Sequence, residues 1–471
     1  MTPHYKRETL GSRLGFLLLS AGCAIGLGNI WRFPYLCGTG GGAYFILMYL
    51  IFLVILGYPV MVFELAVGRA GRQSLGASMK RLELPGAKWH IPGYIATVGN
   101  LILLMFYTVV TGWLLFYSWN FLQALCPSRI LTASQPIALD GVAPVFGELL
   151  GNWRLQTCFM LIAVAVAMAV CAAGLQKGVE KVTKSLMVGL FLLMLWLVVT
   201  ACMLPNAKEG LQFMFQPNTD RLMEIGFWKT MHLAMTQAFF TLSLGVGSLA
   251  IFGSYCDRQK SLAGESDIIV ALDTFVAICA GLIIFPSCFA FDVQPDAGPS
   301  LIFITLPRVF LTMRNGMFFG TVFFLFISIA AMTTLIAVME NIMAICMETW
   351  NWSRRHTAWL VGAALAVLSM PCVLGFNLWQ RFQPFGEGSN ILDLEDFIVS
   401  DNILPLGSVL VVLFCTWPKG WGPEKSYREA NAGGGLRFPK WTLWYCKWVL
   451  PLVIFAIWLI GVLRKFHWLE F

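Results

Sequence analysis

The sequence predicts an all-α polytopic membrane protein of eleven transmembrane helices, built as a 5+5 inverted repeat with broken helices 1 and 6. Three observations carry this. First, the 471 residues are 58% apolar and only 12% charged, about half the charge of a soluble domain (~25%). Second, eleven stretches are apolar for long enough to cross a bilayer, which takes ~20 residues. Third, two of those stretches are interrupted by glycines in matching places, five spans apart.

In chain order the spans cover 12–37, 42–69, 93–124, 156–173, 180–204, 230–256, 266–291, 315–349, 356–374, 392–416 and 442–463. These runs are helix-length and lack the ~10-residue alternation of a barrel strand. They form one transporter-like domain over 1–471, with a first repeat at 12–204, a second at 230–416 and an additional helix at 442–463. The start MTPHYKRETLGSR leads straight into span one with no small-residue cleavage site, so no cleavable leader is expected. Candidate loops fall at 125–155, 205–229, 292–314 and 375–391, and SLIFITLPRVFL inside the third is expected to form a short helix dipping back. With the N-terminus placed inside, inner segments carry twenty Lys and Arg against ten outside. That bias orients a multi-pass protein of the cell (plasma) membrane with its N-terminus cytoplasmic and C-terminus outside.

Composition also excludes. So much apolar surface cannot be hidden in a soluble enzyme or nucleic-acid binder, and the net charge of +7 reads as an orientation signal. The 13 Cys are odd in number and several lie inside apolar runs, as small buried hydrophobes do. Five scattered His offer no zinc-ligand spacing. No phosphate loop or catalytic cluster marks an enzyme, and no filter-like ring marks a channel.

The interruptions are GCAIGLGN (Gly22 to Asn29) and TLSLGVGS (Thr241 to Ser248). Glycine is unfavourable in a helix by ~1 kcal/mol relative to Ala, so three in seven residues need a reason. Small residues also serve close helix packing; the second interruption in the matching place favours unwinding. Unwound backbone frees carbonyls that lipid cannot satisfy and a cation can. The adjoining half-helix N-termini suit a carboxylate. Paired interruptions of this kind point to a carrier with its site at mid-membrane.

The segments RLGFLLLSAGCAIGLGNIWRFPYLCGTGGGAYFILMY (13–49), FFTLSLGVGSLAIFGSY (239–255) and AAMTTLIAVMEN (330–341) resemble the first, sixth and eighth spans of the neurotransmitter:sodium symporter family. The resemblance runs through the tenth span and is to the bacterial eleven-span branch, whose archetype is a bacterial leucine transporter. It implies two sodium sites. The first would use Ala24, Asn29, Thr241 and Asp273; the second Gly22, Ile25, Ala330, Thr333 and Thr334. Oxygen ligands of this kind suit a hard cation.

Asp273 replaces an amide of the archetype. Intramembrane carboxylates are functional by default, and a fixed negative charge here implies chloride independence, with proton exchange on the return step. For the substrate, the resemblance implies Cys23, Ala24, Gly26, Leu27, Gly28, Leu103 and Tyr107 from the first three spans. It adds Phe240, Thr241, Ser243 and Val246 from the sixth, with Thr334 and Val338 from the eighth. Gly26 stands where monoamine carriers hold an Asp, so the cargo should bring its own carboxylate, and Tyr107 would meet it. Val246 replaces a Phe and opens the apolar end, which suits a neutral hydrophobic amino acid, large or aromatic.

Gates map too. Arg32 and Asp396 would pair above the substrate, with Asp393 and Glu395 as neighbouring alternatives and Gln237 nearby; Phe240 would form a lid with Tyr107. Arg7 and Glu348 would pair at the inner face, near Tyr255 and Glu340. Glu64 reads as a hydrogen-bond hub. The implied function is sodium-coupled import of an amino acid. A proton-coupled carrier of the same fold and a non-transporting amino-acid sensor remain alternatives. The partners expected are the amino acid, sodium ions and the bilayer, with no nucleic acid.

Overall fold

The structure is a computed structural model that describes residues 10–125, 142–290, 301–313 and 315–466. It is all-helical apart from an isolated bridge between Lys260 and Gly434.

Among the described residues, nine unbroken helices are long and apolar enough to cross a membrane: Ala43–Gly71, His90–Leu125, Trp153–Ala172, Leu175–Cys202, Leu262–Ala290, Gly316–Trp350, Arg354–Gly375, Ile391–Thr416 and Thr442–Lys465. A tenth span is the pair Arg13–Ala24 and Gly28–Thr39, bent by 48° at the glycines. The pair Phe227–Thr241 and Ser248–Tyr255 supplies another; neither half is long enough alone, which is what a break at mid-membrane requires. In chain order these are spans one to eleven, with span one the bent pair and span six the second broken pair. Span three runs 36 residues, about 54 Å at 1.5 Å per residue, and so outreaches the hydrocarbon layer.

Enclosure sorts the spans. Span eight has 83% of its apolar window buried and span three 72%, whereas spans five and eleven have 28%. The broken spans one and six pack inside this ring. Their close approach depends on absent side chains: a Cβ at Gly68 of span two would overlap the Ala250 backbone of span six, and one at Gly253 would overlap that of Leu65. Small residues let two helix backbones meet in this way.

The loops hold more helix than the hydropathy suggests. Ala207–Phe215 and Thr219–Ile225 fill the stretch read as loop 205–229, the second started by Asn218, whose side chain accepts the Arg221 N–H at 3.0 Å. Short amphipathic helices give no long apolar run, which is why the span count passes over them. The dipping helix is present as Ile302–Leu311. It is buried through Phe303, Leu306 and Phe310 and tied to span three, where the Tyr117 hydroxyl donates to the Phe303 carbonyl at 2.7 Å.

The two ends of the bundle are named here for span one, the Arg13 face and the Arg32 face.

Candidate functional site

The break in span one leaves Ile25 to Leu27 between two helices that end and restart. The break in span six turns through 242–247, with left-handed backbone at Ser243 (φ 51°), Gly245 (φ 79°) and Gly247 (φ 82°). Gly245 needs glycine twice over, because a Cβ there would also overlap the Leu404 carbonyl of span ten. Two buried side chains hold the turn. Glu64 of span two accepts the Gly245 N–H at 2.9 Å. Asn100 of span three donates to the Val246 carbonyl at 2.7 Å and accepts from the Ser248 hydroxyl at 3.0 Å. Glu64, expected to be a hydrogen-bond hub, thus satisfies one backbone donor that the broken helix leaves over.

On one side of the breaks lies a buried polar knot around Asp273 of span seven. The Thr241 hydroxyl donates to its carboxylate at 3.0 and 3.1 Å, Asn29 Nδ2 at 2.8 Å and Tyr49 at 3.4 Å. Asn29 faces Asp273 with its amide nitrogen, while its oxygen accepts the Gly26 N–H at 3.2 Å. The expected role of Asn29 as an oxygen donor therefore needs a half-turn of the amide, at the expense of that local bond.

On the other side, span eight meets span one. The Thr334 hydroxyl donates to the carbonyls of Gly22 at 3.1 Å and Ile25 at 3.3 Å, and the Thr333 hydroxyl donates to the Ala330 carbonyl at 2.8 Å. The five residues read as the second ion position are brought together, all neutral oxygens.

Between the two lies a cavity. Cys23, Ala24, Gly26, Leu27 and Gly28 line it from span one, Leu103 and Tyr107 from span three, Phe240, Ser243 and Val246 from span six, and Thr334 from span eight. Leu404 of span ten also lines it and was missed; the only sequence signal was an apolar residue on a tenth span expected to bear the gate. Thr241 and Val338 are buried but do not line it: Thr241 turns to Asp273, and Val338 lies one turn past Thr334. The cavity has two ends. Tyr107 receives the Leu27 N–H on its hydroxyl at 3.1 Å, and a Cβ at Gly26 would overlap both that hydroxyl and Thr334 Oγ1. Leu103, Val246 and Leu404 make the opposite wall apolar.

At the Arg32 face, the Arg32 guanidinium stands 4.5 Å above the Phe240 ring and 4.0 Å from Asp396. The alternatives are engaged elsewhere or turned inward. Asp393 closes a capping box with Asn390, and Glu395 is buried. Gln237 donates to the Gly28 carbonyl at 2.7 Å.

At the Arg13 face, Arg7 lies outside the described residues. Glu348 accepts from the Ser74 N–H at 2.9 Å and hydroxyl at 3.1 Å. The strongest pair here is Arg354 to Glu340, bidentate at 2.7 and 2.8 Å, with Tyr255 donating to Glu340 at 3.4 Å. Arg354 was missed, since at the head of span nine it looks like any membrane-end cation.

Two broken helices cradling a cavity, with an anionic oxygen cluster on one side and a neutral one on the other, are the layout of a secondary transporter. The chain belongs to the sodium:neurotransmitter symporter family, whose model matches residues 7–131 and 145–468, and it is a sodium-dependent transporter. A sodium-dependent transporter of Haemophilus influenzae is 33% identical over 465 residues, covering 97% of this chain and 98% of its own. Another, YhdH of Bacillus subtilis, is 31% identical over 459 residues, covering 96% and 97%. The crystal structure of MhsT in complex with L-phenylalanine matches with a TM-score of 0.85 at 34% identity, over 96% of this chain and 99% of that one.

Proposed function

We propose that this transporter imports a neutral, hydrophobic amino acid together with sodium, by alternating access and independently of chloride. The observation that carries the reading is the crowding at Gly26. With Tyr107 and Thr334 hydroxyls against that position, no acidic side chain fits, so the carboxylate at this end belongs to the cargo. Tyr107 is held there by Leu27 to donate to it. The apolar wall of Leu103, Val246 and Leu404 takes the side chain, and MhsT, similar to this chain throughout, binds L-phenylalanine.

Sodium occupies two positions in this reading. The first joins the Ala24 carbonyl, Asn29, Thr241 and Asp273, next to the cargo's carboxylate. The second joins Gly22, Ile25, Ala330, Thr333 and Thr334. Asp273 gives the first a fixed negative charge, so no chloride is needed, and a proton can take the cation's place when it leaves. The second has no charged ligand and releases its ion more readily. Cargo and the first ion share one neighbourhood, so each must raise the other's affinity by the same factor. The Arg32 face opens outward and the Arg13 face lies in the cytoplasm, with 12–204 and 230–416 as the two repeats that rock past each other and 442–463 outside them.

The test is binding of all standard amino acids to the purified protein, in sodium and then in potassium. Sodium-only binding of one apolar set, abolished by Asn29→Ala, is expected. Binding that ignores sodium would overturn the coupling and leave the proton-coupled or sensor reading. Replacement of chloride by gluconate should leave sodium-driven uptake unchanged.

A further inference from the structure

We propose that Glu180, at the head of span five, is the latch that holds the cytoplasmic half of span one shut, and that its release admits the inward-facing state. This rests on the alternating-access reading above. Glu180 is a positioning residue, remote from cargo and from both ion positions.

Its side chain is 5% exposed although it sits at the Arg13 face. Three donors converge on it: the Gly11 N–H at 2.7 Å, the Ser12 hydroxyl at 3.0 Å and Lys184 Nζ at 2.6 Å. Ser12 is also the cap of span one, accepting the Gly15 N–H at 3.0 Å. The carboxylate therefore grips the residue that starts the helix through charge-assisted hydrogen bonds, which are about twice as strong as neutral ones. Span one approaches so closely because residue 15 has no side chain; a Cβ there would overlap the Glu180 carboxylate. The grip is aimed by local structure, since Glu180 closes a wide helical turn, Leu175–Glu180, that follows Gly174 at φ 110°. A cleft lined by Gly11, Ser12, Gln176, Lys181 and Lys184 opens beside it.

The same face of span five continues inward to the break. The methyl of Thr183, one turn on, would lie 3.1 Å from a Cβ at Gly22, and its buried hydroxyl has no hydrogen-bond partner among the described residues. Glu180 and Thr183 thus follow the inner half of span one from its cap to a carbonyl of the second ion position. Withdrawing the cap from Glu180 parts the two helices along that line and opens a way from the cleft to Gly22.

The native Cys23, 1% exposed on the cavity wall of span one, reports the opening. The test is its labelling by a membrane-impermeant thiol reagent, applied to either face of vesicles in sodium and read by peptide mass. Glu180→Ala should speed labelling from the cytoplasmic side at least tenfold and leave the outer side unchanged; a merely loosened protein would label faster from both sides, which would overturn the proposal. Gly15→Ala should give the same one-sided gain with the carboxylate intact, and it serves if Glu180→Ala does not fold. Glu180→Gln, whose one amide oxygen can keep the Gly11 N–H while its NH2 turns to the Ser12 hydroxyl, should label at a rate between wild type and Glu180→Ala. Lys184 also donates to the Ser12 hydroxyl at 2.6 Å, so Lys184→Met should give a gain well below that of Glu180→Ala; an equal or larger gain would place the grip in Lys184 and overturn the latch. Wild-type rates in all variants would do so too. If wild-type labelling ignores sodium and every amino acid, the transport reading fails, while the comparison among variants still decides the latch.

Discussion

The two faces of the bundle are closed by unlike means. At the Arg32 face the described residues form two looser pairs: Arg32 with Asp396 at 4.0 Å, side chains 16% and 36% exposed, above an aromatic ring, and Lys465 with Asp401 at 3.4 Å, side chains 32% and 20% exposed. At the Arg13 face the described residues form tighter pairs at 2.6 to 2.8 Å: Arg354 with Glu340, Arg69 and Arg258 with Glu429, Arg13 with Glu265 and Lys184 with Glu180, each holding a carboxylate that is at most 9% exposed. Hydrated pairs are worth ~0–1 kcal/mol, whereas removing one partner of a buried pair costs ~3–5 kcal/mol. The lesson is an order of events. On the alternating-access reading proposed above, the Arg32 face is the one that opens at small cost, and opening the Arg13 face needs several bonds to yield together.

The sharpest way to break this comparison is Arg354→Ala. It leaves Glu340 buried without its guanidinium, and a loss of about 3–5 kcal/mol should appear as a lowered thermal midpoint. The double change Arg354→Met with Glu340→Gln should recover much of it; equal losses would mean that the pair does not carry the closure. Next in size is removal of sodium. Exchange for potassium should cost about 2.7 kcal/mol for each position at which sodium stands at a hundred times its Kd, and Asp273→Ala should remove the part due to the first position while leaving that of the second. Smallest is Asp396→Asn at the Arg32 face. It should move the thermal midpoint by less than about 1 kcal/mol while raising the rate at which bound amino acid escapes to the outside. A stability loss matching that of Arg354→Ala would erase the distinction between the faces.

Much of the architecture was legible because a bilayer demands long apolar helices and penalises glycine inside them. Hence the spans and both breaks stand in the sequence. The oxygen clusters were legible through the motifs around Asn29, Thr241 and Thr334. What escaped was pairing at long range. Glu180 with Gly11 and Ser12, Arg354 with Glu340 and Leu404 with the cavity join residues on different helices, and hydropathy says which residues are helical without saying which turns face each other. The amide of Asn29 escaped for a related reason, since its direction depends on a backbone N–H three residues earlier.

The turn in span six has a consequence for descent. Its backbone is held from outside the cavity, by Glu64 at Gly245 and Asn100 at Val246. The side chain of Val246, which lines the cavity, takes no part in those bonds. Residue 246 can therefore change size across generations while the turn keeps its shape. On the cargo reading proposed above, a carrier so built can exchange one diet for another by single substitutions, with its coupling machinery left intact.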